Sequence, residues 1–437
     1  MDFFRLKQNN TNVKTEFNAG LTTFLAMMYI VPVNSIILSQ AGMPIDALIT
    51  ATALITVIAT LLNGLWANTP VAMSVGMGLN AYFTFGLVLG MKMPWQTALG
   101  VVFVSGIIFV FLSLTNFRIW IIKSIPLDLR RAISAGIGTF ICFIGLQQMG
   151  IVVNNDAVLV GMGNLGDKNV LLGILGVVLI VAFWAFKIKG AFILGVITTS
   201  IIAWVFGLSE YPKELFSLPA SIAPIFLQLD IRGVFFDVAG NFSLALLPVI
   251  VTFFVTDLFD SVGTLAGVGT RAGIFDESKK DGIKNLEKTL ESDAVATVAG
   301  ALTGVSTTTA FVESASGVEE GGRTGLTSVF TALFFVLTLF MLPFFKAIPA
   351  NAIYPVLIMV GILMFSEVGE INFKDPAIAV ASFFMVVFIP LTYSITNGLA
   401  FGFIAYILVR ALQRRWELIN SGVVALAAIS VIVFMVH

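Results

Sequence analysis

Three carboxylates stand where carboxylates are costly. Asp257 and Asp260 lie inside the apolar run 243–269, and Glu313 lies inside the run 305–320; neither stretch carries a Lys or Arg before Arg323 that could pair with it within its own span. An ionised side chain at the centre of a bilayer costs on the order of 2.5 to 3.5 kcal/mol on the insertion scale, so each of the three needs a partner, a proton or a function. Carboxylates without cations can accept hydrogen bonds from a neutral ligand or take and release a proton. Asp257 and Asp260, three apart, share one helix face, so one of them could serve only to hydrogen-bond a neighbouring span.

Other chemistries are excluded by counts. His437 is the only histidine and Cys142 the only cysteine, which removes the usual zinc constellations and any disulfide framework within the chain. There is no HExxH, and two aspartates on one helix do not make an aspartyl dyad, which draws on two elements. A membrane-embedded enzyme and a structural or channel protein are therefore weaker readings than a carrier. No cofactor or metal is implied, and a net charge of −1 gives no hint of nucleic acid.

The elements that must position these groups are membrane spans. The chain is 58% hydrophobic and 11% charged, with a mean hydropathy of +1.00, far from a soluble domain with about 25% charged residues. Apolar runs fall near 20–38, 47–66, 71–90, 95–115, 128–149, 170–187 and 190–207, and again near 243–269, 289–304, 305–320, 325–345, 349–366, 376–391 and 394–411. A last run, 421–436, has no counterpart in the first half and could span thinly, lie in the interface or pack on the bundle. The N-terminal tail, 1–18, is polar and lacks the apolar core of a cleaved signal. With the tail in the cytoplasm, all of the 24 basic residues except Lys92, Lys168, Lys213, Arg232 and Lys346 fall on the inside, as the positive-inside rule requires. Seven spans per half force the second half to insert upside down, the mark of an inverted repeat. Self-similarity agrees: Pro126–Gly150, Asp167–Gly190 and Ala191–Gly207 present the same order of features as Pro349–Gly369, Asp375–Ser394 and Ile395–Ala411.

The third and tenth spans are poor helices. Pro70, Gly76 and Gly78 in one and the β-branched run Val305–Thr309 in the other favour extended chain in their first halves. Extended backbone at membrane depth is tolerable only where protein or a cavity satisfies it, so each span is expected to run as a short strand followed by a half-helix beginning near Asn80 or Glu313. The free N–H groups and the positive dipole end of each half-helix then point at the bilayer centre.

Four stretches, Asn18–Phe24, Gly76–Phe83, Asp257–Leu265 and Glu313–Gly325, occur in the order and wording of the AzgA-like purine permeases, a branch of the nucleobase:cation symporters, and the chain resembles that branch over nearly its whole length. The resemblance implies an all-α polytopic membrane protein built as a 7+7 inverted repeat of about 14 transmembrane spans. It implies a core domain of spans 1–4 and 8–11 (19–115 and 241–345) and a gate domain of spans 5–7 and 12–14 (126–207 and 349–411). The remainder is an extracytoplasmic loop (208–240), a cytoplasmic loop (270–288) and the C-terminal apolar segment (419–437). It also implies proton-coupled uptake of a purine base across the inner or plasma membrane, with sodium coupling and a homodimer left open. Carried over by position, Glu313 and Asp260 hydrogen-bond the base together with Asn80; Gly78 is the glycine two positions before that asparagine, and Phe311 sets an aromatic ring beside the base. With no histidine in the spans, coupling falls to Asp260 or its neighbour Asp257, and Glu313 serves as the mainly ionised acceptor. An anion transporter on the same inverted-repeat fold is the alternative, disfavoured because carboxylates at both the eighth and tenth spans repel an anion. Where this branch usually has Ala-Pro, the chain has Ser74-Val75, so the strand of span 3 lacks one ring constraint.

Overall fold

A computed structural model of the chain describes residues 3–115, 124–236, 240–272 and 280–436. The spans begin with helix α1 (Val13–Met27), N-capped by Asn12, whose Oδ1 accepts from Thr15 N at 3.0 Å. It breaks at Met28–Tyr29 and resumes as α2 (Ile30–Ser39). Pro32 explains the break, since it has no N–H to return to the carbonyl of Met28. There follow α3 (Ile45–Trp66), strand β1 (Met73–Val75), α4 (Met77–Ala81) continued by a π-helical stretch (Tyr82–Gly90), α5 (Trp95–Ser113), α6 (Leu127–Gln148), α7 (Lys168–Ala185) and α8 (Ala191–Val205). A short helix, α9 (Arg232–Phe235), lies in the central loop. The second half holds α10 (Leu247–Ala272), α11 (Lys280–Thr303), β4 (Thr308–Ala310), α12 (Ser314–Glu319), α13 (Gly325–Thr338), α14 (Leu342–Ala347), α15 (Ala350–Phe365), α16 (Pro376–Thr392), α17 (Ile395–Leu412) and α18 (Ser421–Val436). Among the described residues eight helical segments are long and apolar enough to cross a membrane, and four shorter apolar ones accompany them. With α11 and the β4–α12 segment they supply the fourteen crossings of a 7+7 inverted repeat.

Some boundaries differ from the sequence reading. The helix that carries span 9 starts at Lys280, ahead of the apolar run near 289, because its first turns are charged and leave no apolar signal. The half-helices start at Met77 and Ser314, capped by Gly76 and Glu313, so Asn80 sits one turn in rather than at the head. A hairpin, β2 (Val152–Asn155) with β3 (Leu159–Met162), links spans 5 and 6. The last apolar run is a helix packed on α17 and α10, with Val423 and Ala427 buried. Most of the unassigned stretch of the 270–288 loop, 273–279, lies outside the described residues, as do Arg118, Lys123 and His437.

The repeat is visible in the helix starts. α6 and α15 both open after a proline (Pro126, Pro349), and α7 and α16 both open on an aspartate cap. Asp167 accepts from Asn169 N at 2.7 Å and Asp375 from Ala377 N at 3.0 Å. α6 packs on α15, α16 and α17, and α7 on α8 and α15; separately, α13 packs on α1 and α3, and α11 on α3, α5 and β4. At the tightest crossings small residues face backbone: a Cβ on Gly325 would meet the Gly64 carbonyl, and one on Gly361 the Gly138 carbonyl. Such residues let helices approach where lipid offers no hydrophobic drive.

Ion pairs respect the sidedness of the topology. Lys189–Glu320, Arg131 with Asp128, Glu367 and Glu370, and Arg410–Asp375 each join residues assigned to one side, and Lys346–Asp46 joins residues of the other. Between 208 and 236 the chain runs over the ends of α13, α11 and α5, with Ser217 N donating to Phe340 O, Leu227 N to Leu302 O and Asp230 N to Gln96 O.

Candidate functional site

β1 and β4 pair antiparallel, Met73 opposite Ala310 and Val75 opposite Thr308. A two-stranded sheet leaves two outer edges unpaired, and at membrane depth those edges cannot turn to water. Flanking helices satisfy them. On α3, Thr60 both donates to Met73 O (3.0 Å) and accepts from Met73 N (3.1 Å), and Thr56 bonds the Ser74 hydroxyl at 2.6 Å. The Ser74 side chain thus ties down the strand that lacks the branch's proline. On α11, Asp293 accepts from Ala310 N at 2.8 Å, and Thr297 donates to Thr308 O at 2.9 Å. The same four-residue spacing serves both repeats, because i and i+4 lie on one helix face.

From opposite ends of this pair the chain turns into the half-helices α4 and α12. Glu313 caps α12, half-buried, and accepts a hydrogen bond at Oε1 from the hydroxyl of Tyr29, which sits at the break between α1 and α2. Asp260, on α10 and also half-buried, lies within electrostatic reach of Glu313. Phe311 is buried between β4 and Glu313, its N–H donating to Ala72 O at 3.0 Å. Asn80 is fully buried; its Nδ2 donates to Asn34 Oδ1, Asn34 in turn donates to Thr52 Oγ1 at 2.8 Å, and Asn80 Oδ1 has no partner. Gly78 faces the other helix group: a Cβ there would stand 2.5 Å from Ile137 Cγ2 on α6.

Asp257 points elsewhere. It is 1% exposed, and its Oδ2 accepts from Thr297 Oγ1 at 2.8 Å, so it belongs with α11 rather than with Glu313. Beside it stands Asp293, fully buried and hydrogen-bonded by the Ser261 hydroxyl as well as by Ala310 N. Sequence reading places Asp293 near the start of the run 289–304 but does not single it out, because the charged stretch Lys280–Glu291 leads directly up to it. It also passes over Tyr29 and Asn34, which are uncharged and sit in an ordinary apolar run. The run Asp293-Ala-Val-Ala-Thr297, a carboxylate and a hydroxyl one turn apart next to the β-branched strand, is the signal available.

Glu313 and Asp260 present two carboxylates; Asn80 Oδ1 is buried, and at the head of α12 the N–H groups of Ser314, Ala315 and Ser316 already donate to the carbonyls of Phe311, Val312 and Glu313. Among the described residues no group of three or more His, Cys, Asp or Glu is arranged to hold a metal ion. Three contacts join the two helix groups. Tyr29 meets Phe192 of α8 edge to face with centroids 5.2 Å apart, Tyr82 hydrogen-bonds Thr396 of α17 at 2.8 Å, and Gln40 donates to Tyr354 of α15 at 3.0 Å.

Residues 14–401 match the permease family Xan_ur_permease. The chain is 44% identical over 433 residues to a permease of Methanocaldococcus jannaschii, covering 99% of this chain and 97% of that protein. It is 38% identical to the adenine permease AdeP of Escherichia coli (98% and 94% covered) and 39% identical to the guanine/hypoxanthine permease PbuO of Bacillus subtilis (97% and 98% covered). In fold it is similar to the transmembrane domain of a cyanobacterial bicarbonate transporter, BicA, with a TM-score of 0.65 at 16% identity over 91% of this chain and 97% of that one.

Proposed function

Because the chain belongs to the permease family, a family of transporters and not of enzymes, we propose that it is a secondary active transporter that takes up purine nucleobases together with protons. The observation that carries this reading is that Glu313, at the head of a half-helix, and Asp260 are two half-buried carboxylates within electrostatic reach of each other, with no cation among the described residues recorded as acting on either. A purine is flat, neutral near pH 7 and edged with N–H donors and ring-nitrogen or carbonyl acceptors. Glu313 and Asp260 accept from its N–H groups, Asn80 Oδ1, which has no partner among the described residues, accepts a third, the N–H groups at the head of α4 donate to its acceptors, and the Phe311 ring lies against its face. An anion would meet two carboxylates, which separates this site from a bicarbonate carrier of the same fold. Relatives that carry adenine or guanine and hypoxanthine in their names support the purine class.

The α1–α5 and α10–α14 elements act as the core and α6–α8 with α15–α17 as the gate, a division their packing supports. The core carries the site past the gate, with Tyr29, Gly78 and Tyr82 at the sliding surface. A span-8 aspartate, Asp260 or Asp257, takes the coupling proton, since no histidine lies in the spans. The protein sits in the cytoplasmic membrane with its N-terminus inside, where most basic residues then fall. The test is uptake of labelled adenine, guanine or hypoxanthine into proteoliposomes, driven by an inward proton gradient and competed by unlabelled purines, pyrimidines and bicarbonate. Purine-specific, gradient-dependent accumulation is expected; bicarbonate competition without purine competition would overturn it.

A further inference from the structure

We infer that Asp257 and Asp293 together form the carrier's proton site, a carboxylate pair set behind strand β4 and distinct from the substrate groups Asp260 and Glu313. This rests on the proton-coupled reading above and assigns the coupling proton to Asp257 paired with a residue of span 9.

The geometry is that of two carboxylates bridged by hydroxyls. Asp257 accepts from Thr297 at 2.8 Å, Asp293 accepts from Ser261 and from Ala310 N, Ser261 bonds Thr309 at 2.7 Å, and Thr309 stands beside both carboxylates. Asp257 is 1% exposed and Asp293 fully buried, so both carboxylates lie inside the protein with the hydroxyls of Thr297, Ser261 and Thr309 around them. The charged group that reaches the pair is Asp260 of α10, itself within electrostatic reach of Glu313 at the head of α12; among the described residues no cation is recorded as acting on either carboxylate. α5 contains no ionisable side chain, and the one on α3, Asp46, is held by Lys346 at the helix's far end. Two neighbouring carboxylates at membrane depth without a cation cannot both stay ionised cheaply, and sharing one proton resolves this.

Comparison of the two repeats separates this role from a structural one. At β1, Thr60 bonds the strand backbone through both the N–H and the carbonyl of Met73, and Thr56 bonds the Ser74 side chain, so hydroxyls alone hold that strand. At β4 the equivalent pair is Asp293 and Thr297. The second repeat has a carboxylate where the first manages with a threonine, and that carboxylate meets another from span 8. Asp293 also holds Ala310, next to Phe311 and three residues before Glu313, so a change of charge on the pair bears on the segment that presents the substrate carboxylate. On the outward-facing carrier one carboxylate oxygen takes a proton from water to form an O–H bond; on the inward-facing carrier that bond breaks and the proton returns to water, with no electron transfer.

Asp293→Asn, Asp293→Thr (which installs the first repeat's solution) and Asp257→Asn test it in proteoliposomes by two readouts: accumulation of labelled hypoxanthine against its gradient under an imposed proton gradient, and exchange of labelled for unlabelled hypoxanthine at equal pH on both sides. The expected result is that wild type accumulates and exchanges, whereas the variants exchange but accumulate only to equality across the membrane. Variants that accumulate as wild type does would overturn the pair while leaving proton-coupled purine transport intact. Loss of exchange in both Asp293 variants would overturn it in favour of a structural role. A wild type that exchanges hypoxanthine but ignores the proton gradient would overturn the coupling itself, and the pair with it.

Discussion

The hydroxyl of Tyr29 donates a hydrogen bond to Oε1 of Glu313, joining the break in the first span to the head of the tenth. Tyr29 is fully buried and its ring abuts Phe192 of α8, so one residue touches both the proposed substrate carboxylate and the proposed gate.

Tyr29→Phe keeps the ring and removes the hydroxyl. If Tyr29 orients Glu313, the variant should weaken base binding by about 0.5–1.5 kcal/mol, the net worth of one hydrogen bond. Equilibrium binding of labelled purine to the purified protein checks this. Tighter binding in the variant would mean instead that Tyr29 competes with the base for the carboxylate.

Gly78 stands against α6. A side chain there collides with Ile137 of α6, the Cβ alone coming within 2.5 Å of Ile137 Cγ2. Overpacking of this kind costs about 1–3 kcal/mol, so Gly78→Leu should abolish uptake and Gly78→Ala reduce it. Adding Ile137→Ala to Gly78→Ala should restore part of the rate. A fully active Gly78→Leu carrier would remove this surface from the transport cycle.

What was legible in the sequence follows from what the bilayer enforces. Apolar length gives the spans, parity gives the inversion, and Pro70, Gly76 and the Val305–Thr309 run mark the two places where helix fails, which the paired strands at Met73–Val75 and Thr308–Ala310 occupy. Glu313 and Asp260 stand out because their surroundings are uniformly apolar. Asp293 does not, since it stands at the start of the run 289–304, directly after the charged turns Lys280–Glu291, and the fold shows that these turns and the run form one helix. Glu16 is similar: it lies in a polar tail by sequence, yet it is fully buried, accepting from Arg323 N at 3.1 Å and Thr327 N at 3.1 Å and so capping the start of α13. Contacts between residues hundreds of positions apart leave no local periodicity to read.

Outside the spans, Asp375 provides a pH-dependent clamp on the gate. Partial burial raises its pKa, but the hydrogen bond and charge of Arg410, together with the Ala377 N–H, outweigh this and hold it below the usual carboxylate value. A depressed folded-state value means that the stabilisation is fully present above the unfolded value of about 3.9 and is lost as pH falls through the folded one. Asp375→Asn should therefore lower the thermal stability of the purified protein near neutral pH and differ little from wild type in strong acid. An equal deficit at both pH values would show that the charge of Asp375 contributes nothing.

The most direct measurement of the central claim, that a purine is held by the Glu313 carboxylate, is equilibrium binding of labelled adenine, guanine and hypoxanthine to purified wild type and Glu313→Gln. The account predicts saturable purine binding in wild type and a loss of about 1.5–3 kcal/mol in the variant, roughly 10- to 150-fold in Kd, with the variant still inserted and folded. Purine binding of wild-type affinity in Glu313→Gln would contradict it.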